Sequence, residues 1–383
     1  MSENTPVVVK AYRTPLGKES GVFADVRPED LSVPLINRIL EETELAGEDV
    51  DDLKWGCAQQ RSEQGNNMAR VIALMSELGE KTPATTINRW CASSAEAVIN
   101  AANAISAGQR ECIIAGGVES MSRVPMGGNN EIHPGLNDFH NVAELQMGMT
   151  AETVAERYDV TREMQDEYAA QSQQRAVAAT EEGRFDDEIV PIEGHDEDGE
   201  EITVTEDEGL RPGTTVEKLA ELPSVFKSDG TVTPGNASQM TDGAAALLIT
   251  SRGFAEEHGF EELAEIGNNA VEGVEPEVMG IGPVPACETL FERSGTSVDD
   301  YDLVELNEAF ASQCVYCRDE IGFDNDIYNV NGGAIAIGHP LGATGARLPV
   351  TLIHEMRKRD AERGIATECV GFGQGAAIEF IVR

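Results

Sequence analysis

The sequence predicts an α/β protein built from two similar halves, and three observations carry that prediction. Short apolar runs bounded by Gly, Pro or polar turns read as buried strands: Val7–Lys10, Leu53–Ala58, Thr85–Asn88, Cys112–Ala115, Ala245–Thr250 and Leu303–Asn307. Helical periods alternate with them. Leu31–Leu40 and Met68–Leu78 carry apolar residues three and four apart, which indicates helices layered on a sheet with parallel pairing. The third observation is an internal echo, in which Val50-Asp51-Asp52-Leu53 returns as Val298-Asp299-Asp300-Tyr301, each opening a strand. The same 248-residue offset carries Cys91 onto His339, so a duplication would set these two at equivalent places in facing halves.

Composition bounds the rest. With 383 residues, 40% of them hydrophobic, and 38 Gly, the chain can bury a large core in two or three domains. No run approaches the roughly 18 apolar residues that a membrane helix needs, so no membrane partner is expected. The opening Met1-Ser-Glu-Asn-Thr has no basic stretch ahead of an apolar one, and Ile381-Val-Arg383 matches no targeting tail. The expected address is cytoplasmic. Seven scattered Cys read as free thiols in a reducing compartment. The net charge of −41, with Arg357-Lys358-Arg359 as the single basic cluster, argues against nucleic acid as a partner. Acidic clusters such as Glu41-Glu42, Asp51-Asp52 and Asp186-Asp187-Glu188 give a halophile-like surface, held compact by salt screening.

From about Gly117 to Gln239 the pattern changes and reads as an insertion. It has a turn-rich segment at Gly127-Gly128-Asn129-Asn130 and a convincing amphipathic helix over 163–176. The acidic stretch from His195 to Glu201 lacks the spacing and closing Glu of a calcium loop and reads as a solvated turn.

Four segments can carry chemistry. In Ile87-Asn-Arg-Trp-Cys91-Ala-Ser-Ser a strand runs into helix-favouring residues, so Cys91 falls at a helix N-terminus, where the dipole favours thiolate. A buried inert thiol is the alternative. His339 sits in Asn329-Val-Asn-Gly-Gly-Ala-Ile-Ala-Ile-Gly-His-Pro-Leu-Gly-Ala-Thr-Gly, with five Gly in the fourteen positions from Gly332 to Gly345. That spacing fits neither phosphate-loop pattern and suits a catalytic turn better. Cys369-Val-Gly371-Phe-Gly373-Gln-Gly375 could expose backbone amides to an oxyanion or merely mark a bulge. Asn307, in Glu305-Leu-Asn-Glu308-Ala-Phe310, could aim a polar group into a site at the strand's end, although a helix cap is the simpler reading of that segment alone.

Together these segments resemble the thiolase family, nearly from end to end. Arg13-Thr-Pro-Leu-Gly, Ala115-Gly-Gly-Val-Glu-Ser-Met-Ser, Met147-Gly-Met-Thr-Ala-Glu, Gly235-Asn-Ala-Ser-Gln-Met-Thr-Asp-Gly and Met279-Gly-Ile-Gly-Pro-Val-Pro-Ala add to the match in order. The resemblance implies a duplicated thiolase fold, a five-layer αβαβα sandwich with an inserted loop domain. Residues 1–117 and 240–262 would form one half, 118–239 the coenzyme A-binding loop domain, and 263–383 the other half. It further implies that Cys91 is the nucleophile, His339 its base and Cys369 the acid/base at the substrate α-carbon. Asn307 with His339 would form one oxyanion hole, and the Cys91 and Gly371 amides the other. Arg211 and Ser238 match positions that contact coenzyme A, while Met147, Met279 and Phe310 match the lining near the reacting carbons. Acyl-CoA and coenzyme A would be substrates, with no further cofactor, in a homodimer or homotetramer.

Ser94, where many relatives have Gly, and Gln146, where biosynthetic relatives often place His, tilt the resemblance toward degradative 3-ketoacyl-CoA enzymes. The stretch from Ile202 to Thr215 points the same way. An acetoacetyl-CoA-forming acetyltransferase is the alternative, and a non-catalytic acyl-CoA-binding relative a further one. A decarboxylating ketoacyl synthase shares the nucleophile but not the Cys369 motif. Cys314-Val-Tyr-Cys317 has no second pair to complete a zinc site, and His354-Glu355 lacks the second His of a zincin, so no metal is expected.

The charge makes a prediction of its own. At low ionic strength self-repulsion is unscreened, so dilute buffer should lower both the unfolding midpoint and the turnover of an anionic substrate. Calorimetry and assay from about 0.1 to about 1 M KCl check this, since the Debye length shortens from roughly 10 to about 3 Å across that range. An unchanged midpoint would make the acidic surface incidental.

Overall fold

The computed structural model describes residues 2–127 and 132–383. Of the expected turn at Gly127-Gly128-Asn129-Asn130, all but Gly127 lies outside the described residues. The chain begins with β1 (Pro6–Arg13), β2 (Gly17–Lys18), α1 (Pro28–Thr43), β3 (Asp52–Gly56), α2 (Met68–Met75), β4 (Ala84–Ile87), α3 (Ser93–Ser106) and β5 (Cys112–Ser120). The insertion supplies α4 (Met147–Arg157), α5 (Arg162–Glu181), β6 (Ile192–His195), β7 (Glu201–Val204) and α6 (Val216–Ala220). Then come β8 (Thr241–Ser251) and α7 (Arg252–His258), followed by β9 (Ala264–Gly273), α8 (Pro283–Ser294), β10 (Leu303–Leu306) and α9 (Ala311–Ile321). The chain closes with α10 (Ala334–Ile337), α11 (Leu341–Arg359), β11 (Arg363–Val370) and β12 (Gln374–Ile381).

The strands pair in the order β10-β11-β12-β9-β1-β8-β5-β3-β4. Only Val7↔Glu265 and Val8↔Ala264 join β1 to β9, so the array is two half-sheets meeting at a narrow seam. The expectation of parallel pairing holds for β3 with β4 and β5, and for β10 with β11, but not elsewhere. The reason is connectivity. A short turn joins β11 to β12, which can pair only antiparallel, and β8 returns from the insertion antiparallel between β1 and β5.

Three apolar clusters set the layers. One packs α1 and α2 against the outer face of the first half-sheet, through residues such as Leu35, Ile39, Trp55 and Ile72. A second fills the middle, where α3 and α11 lie on each other and on both half-sheets. The third covers the second half-sheet with α8, α9 and part of α5. From outside to outside the order is helix, sheet, helix pair, sheet, helix, the five-layer sandwich that the resemblance implies. The duplication is visible in the middle layer, because Cys91 lies two residues before α3 and His339 two residues before α11.

Close packing of that layer explains several glycines. A Cβ at Gly117 would lie 2.1 Å from the Gly342 carbonyl, and one at Gly345 2.3 Å from the Ala95 nitrogen. Gly116 faces the other side of β5, where a Cβ would lie 2.2 Å from the Ala245 carbonyl of β8 and 2.6 Å from the Trp55 ring of the outer cluster. Gly116 and Gly117 thus sit inside β5, which runs on to Ser120 past the expected end at Ala115. The insertion is tied down by a buried ion cluster, in which Arg13 Nε donates to Glu188 (2.6 Å) and Nη1 to Asp207 (2.7 Å). Among the described residues no helix is long and apolar enough to cross a membrane.

Candidate active site

The site forms where the two central helices begin. Gly338 has φ +110°, and a Cβ there would meet Thr241 Cγ2 at 2.2 Å, so only glycine allows the turn that delivers His339. The imidazole is buried, with Nδ1 2.6 Å from Thr344 Oγ1 and Nε2 3.2 Å from Asn307 Nδ2. Thr344 spends its own proton on the Pro340 carbonyl (3.0 Å), so its oxygen accepts the Nδ1 proton. Nε2 is then an open lone pair, met by an amide donor. Burial, then the charge of Arg347, pushes the His339 pKa down from 6.5 to about 3, which leaves a neutral imidazole.

Cys91 follows Trp90, whose φ of +48° is a strained left-handed turn, and Phe372 opposite has φ +64°. The two rings pack at 5.5 Å, tilted by 48°, and Arg89 Nη1 reaches Gln374 (2.9 Å), so the Cys91 and Gly371 turns brace each other. Backbone N–H groups of Gly371 and of Cys91 itself point at the Cys91 sulfur. Helix position alone suggests a thiolate, but the balance goes the other way. Burial, then the nearby Glu368, pushes the Cys91 pKa up to about 12, outweighing those amides and the dipole of α3. Cys91 is a thiol at rest and needs a base. Cys369, near the end of β11, is likewise pushed well up, by burial first and then by the adjacent Cys91.

Asn307 is fully buried and does not cap α9, whose N-cap is Phe310. Its Oδ1 is unpaired while its amide faces His339. Met279, Phe310 and Cys369 share one apolar cluster, with Met147 packed against it. These four residues lie together. Ser238 borders the cluster, its N–H bonded to Ala309 O (3.0 Å). Arg211 lies farther out and exposed, held through its own N–H by Gln173 Oε1 (2.9 Å). Ser94 Oγ accepts from Ala346 N–H (2.9 Å), which couples α3 to α11, while Gln146 is exposed.

Sequence reasoning missed three supporting residues. Thr344 fixes the tautomer, Glu119 gathers Ala58 N–H (2.9 Å), Gln59 N–H (3.1 Å) and Gly342 N–H (2.9 Å), and Glu308 joins α5 to the turn before His339. Glu119 and Glu308 lie inside motifs that stood out, but no pattern of residue types assigns them partners so far along the chain. Cys314 and Cys317 are buried and free, and no group of His, Cys, Asp and Glu among the described residues could hold a metal ion.

A buried thiol with two amides on its sulfur, an imidazole lone pair and a second thiol, at the middle of a duplicated αβαβα sandwich, define an acyltransferase. Family models agree: the thiolase N-terminal domain matches residues 6–253 and the thiolase C-terminal domain residues 260–382. The chain belongs to the thiolase family. It is 47% identical over 380 residues to a 3-ketoacyl-CoA thiolase of Idiomarina loihiensis, and 46% identical over 382 residues to one of Cronobacter sakazakii, covering 98% of each chain in both cases. The fold matches human mitochondrial 3-ketoacyl-CoA thiolase over 100% of both chains (TM-score 0.92, 39% identity). It also matches Bacillus anthracis acetyl-CoA acetyltransferase over 98% of both (TM-score 0.91, 39% identity).

A low His339 pKa has a measurable consequence. The unfolded imidazole binds a proton below about pH 6.5, whereas the folded one does so only near pH 3. This group therefore leaves stability untouched above pH 6.5 and removes about 1.4 kcal/mol per pH unit as pH falls toward 3. Between pH 7.5 and 5, His339→Gln should lose ~2 kcal/mol less than the parent in urea unfolding. An identical acid dependence would mean that His339 charges freely in the folded state.

Proposed function

We propose that the chain cleaves 3-ketoacyl-CoA with coenzyme A, reversibly, to acetyl-CoA and a shortened acyl-CoA through an acyl-Cys91 intermediate. One observation carries this reading: a protonated Cys91 has two amides aimed at it, in a pocket whose imidazole keeps Nε2 unprotonated and facing the Asn307 amide. His339 Nε2 takes the Cys91 proton as the sulfur attacks the keto carbon, and the Gly371 and Cys91 amides receive the oxyanion. The bond to the α-carbon breaks. Its electron pair departs on acetyl-CoA, whose thioester oxygen faces Asn307 and His339, and Cys369 supplies the proton. The Cys369 thiolate then deprotonates coenzyme A, which attacks acyl-Cys91, and the leaving Cys91 sulfur recovers its proton from His339.

Residues 118–239 would carry coenzyme A, with Arg211 and Ser238 in contact with it, while Met147, Met279 and Phe310, clustered with Cys369, would line the pocket near the reacting carbons. Nucleophile, base and acid are all side chains, so the reaction calls for no metal or prosthetic group. The degradative assignment is supported by the names of relatives at 46–47% identity. Formation of acetoacetyl-CoA from two acetyl-CoA is the same chemistry run backwards, and the two structural neighbours, both 39% identical, do not separate the alternatives.

The two thiols should fail differently. Cys91→Ala should abolish labelling by radioactive acetyl-CoA. Cys369→Ala should still take label at Cys91 while thiolysis, and exchange of acetyl hydrogens with deuterated water, fall 10²–10⁴-fold, the usual worth of a positioned acid/base. Label on Cys57, Cys112 or Cys317, or near-normal thiolysis by Cys369→Ala, would overturn the scheme.

The oligomer expectation has support at the sheet's edge. Among the described residues no strand lies beyond β4, whose outer edge is met by the Asn67 side chain at Thr86 N–H (2.9 Å) and Ala84 O (3.1 Å), and α2 beside it exposes Val71, Leu74 and Met75 by 37%, 54% and 51%. A second copy would cover both. Light scattering should read two or four chain masses, and Leu74→Glu with Met75→Lys should shift it toward one. A monomeric parent enzyme refutes this surface.

A further inference from the structure

Glu308 follows Asn307 and is fully buried. Its Oε1 accepts from the Tyr168 hydroxyl (2.9 Å) and Asn329 Nδ2 (3.1 Å), and its Oε2 from the Ser172 hydroxyl (2.6 Å) and Ile335 N–H (3.1 Å). The hydroxyl directions are fixed by their other partners. Tyr168 O accepts from Asn329 Nδ2 (2.9 Å) and Ser172 Oγ from Gly333 N–H (3.1 Å), so both hydroxyl protons face the carboxylate. Tyr168, Ser172 and Ile335 donate to it outright, Asn329 shares its two N–H protons among three acceptors, and among the described residues no cation touches the carboxylate, an arrangement that an amide cannot reproduce.

The donors come from two places. Tyr168 and Ser172 lie one turn apart on α5 of the insertion, whereas Asn329, Gly333 and Ile335 belong to the segment that leads to His339. That segment has no slack, since Asn329 is left-handed (φ +44°) and a Cβ on Gly333 would meet Glu308 Cδ at 2.5 Å. Asn329 also bonds both backbone groups of Leu306, at 2.8 and 2.9 Å, just before Asn307. The next residue on α5, Gln173, donates to Ile335 O (3.2 Å) and accepts from Arg211 N–H (2.9 Å).

We propose that Glu308 is a positioning residue that locks the insertion, and with it the coenzyme A site, to the Asn307–His339 pair, so that loading the insertion and aligning the donors for the acetyl thioester oxygen are one event. This rests on the acyl-transfer reading above and assigns a further residue to it. The selectivity follows from geometry. Through Asn329 and Leu306, Glu308 braces Asn307, whereas His339, the base for Cys91, keeps holds of its own in Thr344 Oγ1 (2.6 Å) and the Gln239 carbonyl (3.0 Å), and the amides that serve acyl transfer stand on the α3 and β11 turns, which Glu308 does not touch. Displacing oriented groups by a fraction of an ångström to 1 Å costs up to about 10²-fold in rate.

The test is Glu308→Gln, assayed for acetyl-hydrogen exchange, for Cys91 acylation by acetyl-CoA, and for the unfolding midpoint. Exchange and kcat for thiolysis should fall about 10²-fold, with acylation reduced less than about tenfold. Exchange within threefold of the parent, or exchange and acylation falling in equal proportion, overturns the proposal. If Glu308→Gln is not recovered folded, Tyr168→Phe decides, because it removes one donor of four: a loss of exchange at least fivefold greater than the loss of acylation supports the coupling, and anything smaller overturns it. A parent enzyme that never acylates Cys91 would instead sink the acyl-transfer reading, which keeps the two failures apart.

Discussion

The arrangement depends on keeping one imidazole neutral in a dry place. His339 has no carboxylate partner; a threonine hydroxyl holds Nδ1 and a side-chain amide faces Nε2. A carboxylate in place of Thr344 would favour the imidazolium and close the lone pair. With Thr344 the ring stays uncharged, and burial costs little because both nitrogens are satisfied. The same dryness makes Cys91 and Cys369 thiols at rest. In the resting site, base and thiols are too far apart in proton affinity for a stable ion pair. The proton moves only as a bond forms to substrate, when the Gly371 and Cys91 amides have an oxyanion to receive.

The fold supplies this by symmetry. Stacking the corresponding helices α3 and α11 of two related halves brings Cys91 and His339 to equivalent ends, and the close approach is possible because Gly117, Gly342 and Gly345 leave room. The remaining groups hang from strand ends: Asn307 after β10, and Cys369 and Gly371 at the turn between β11 and β12. Charged residues inside the sandwich do structural work, Arg13 anchoring the insertion and Arg347 meeting Glu305 at 3.1 Å. The insertion reaches the chemistry through α5, whose buried face is largely polar.

That polar face marks the boundary of what was legible in the sequence. Alternating apolar runs and the 248-residue echo sufficed for an α/β class, a duplication and the relation of Cys91 to His339, because burial and duplication leave periodic traces; the five-layer order came from the family resemblance. The motif residues were legible as residue types. Their electrostatics were not: a helix start suggests a low thiol pKa, and only the depth of burial reverses it. The helix expected over 163–176 is real and longer, but its inward side carries Gln165, Asp166, Ser172 and Gln173, which a hydrophobic pattern assigns to solvent. Pairings such as Tyr168 with Glu308, 140 residues apart, are set by the assembled layers.

The account stands or falls on the state of His339, which nitrogen NMR of ¹⁵N-histidine-labelled enzyme reads directly, with His339→Gln giving the assignment. The prediction is one protonated and one bare ring nitrogen, Nδ1 and Nε2 respectively, unchanged from pH 8 to pH 5. A ring that titrates near 6.5, or one that carries its proton on Nε2, would contradict it.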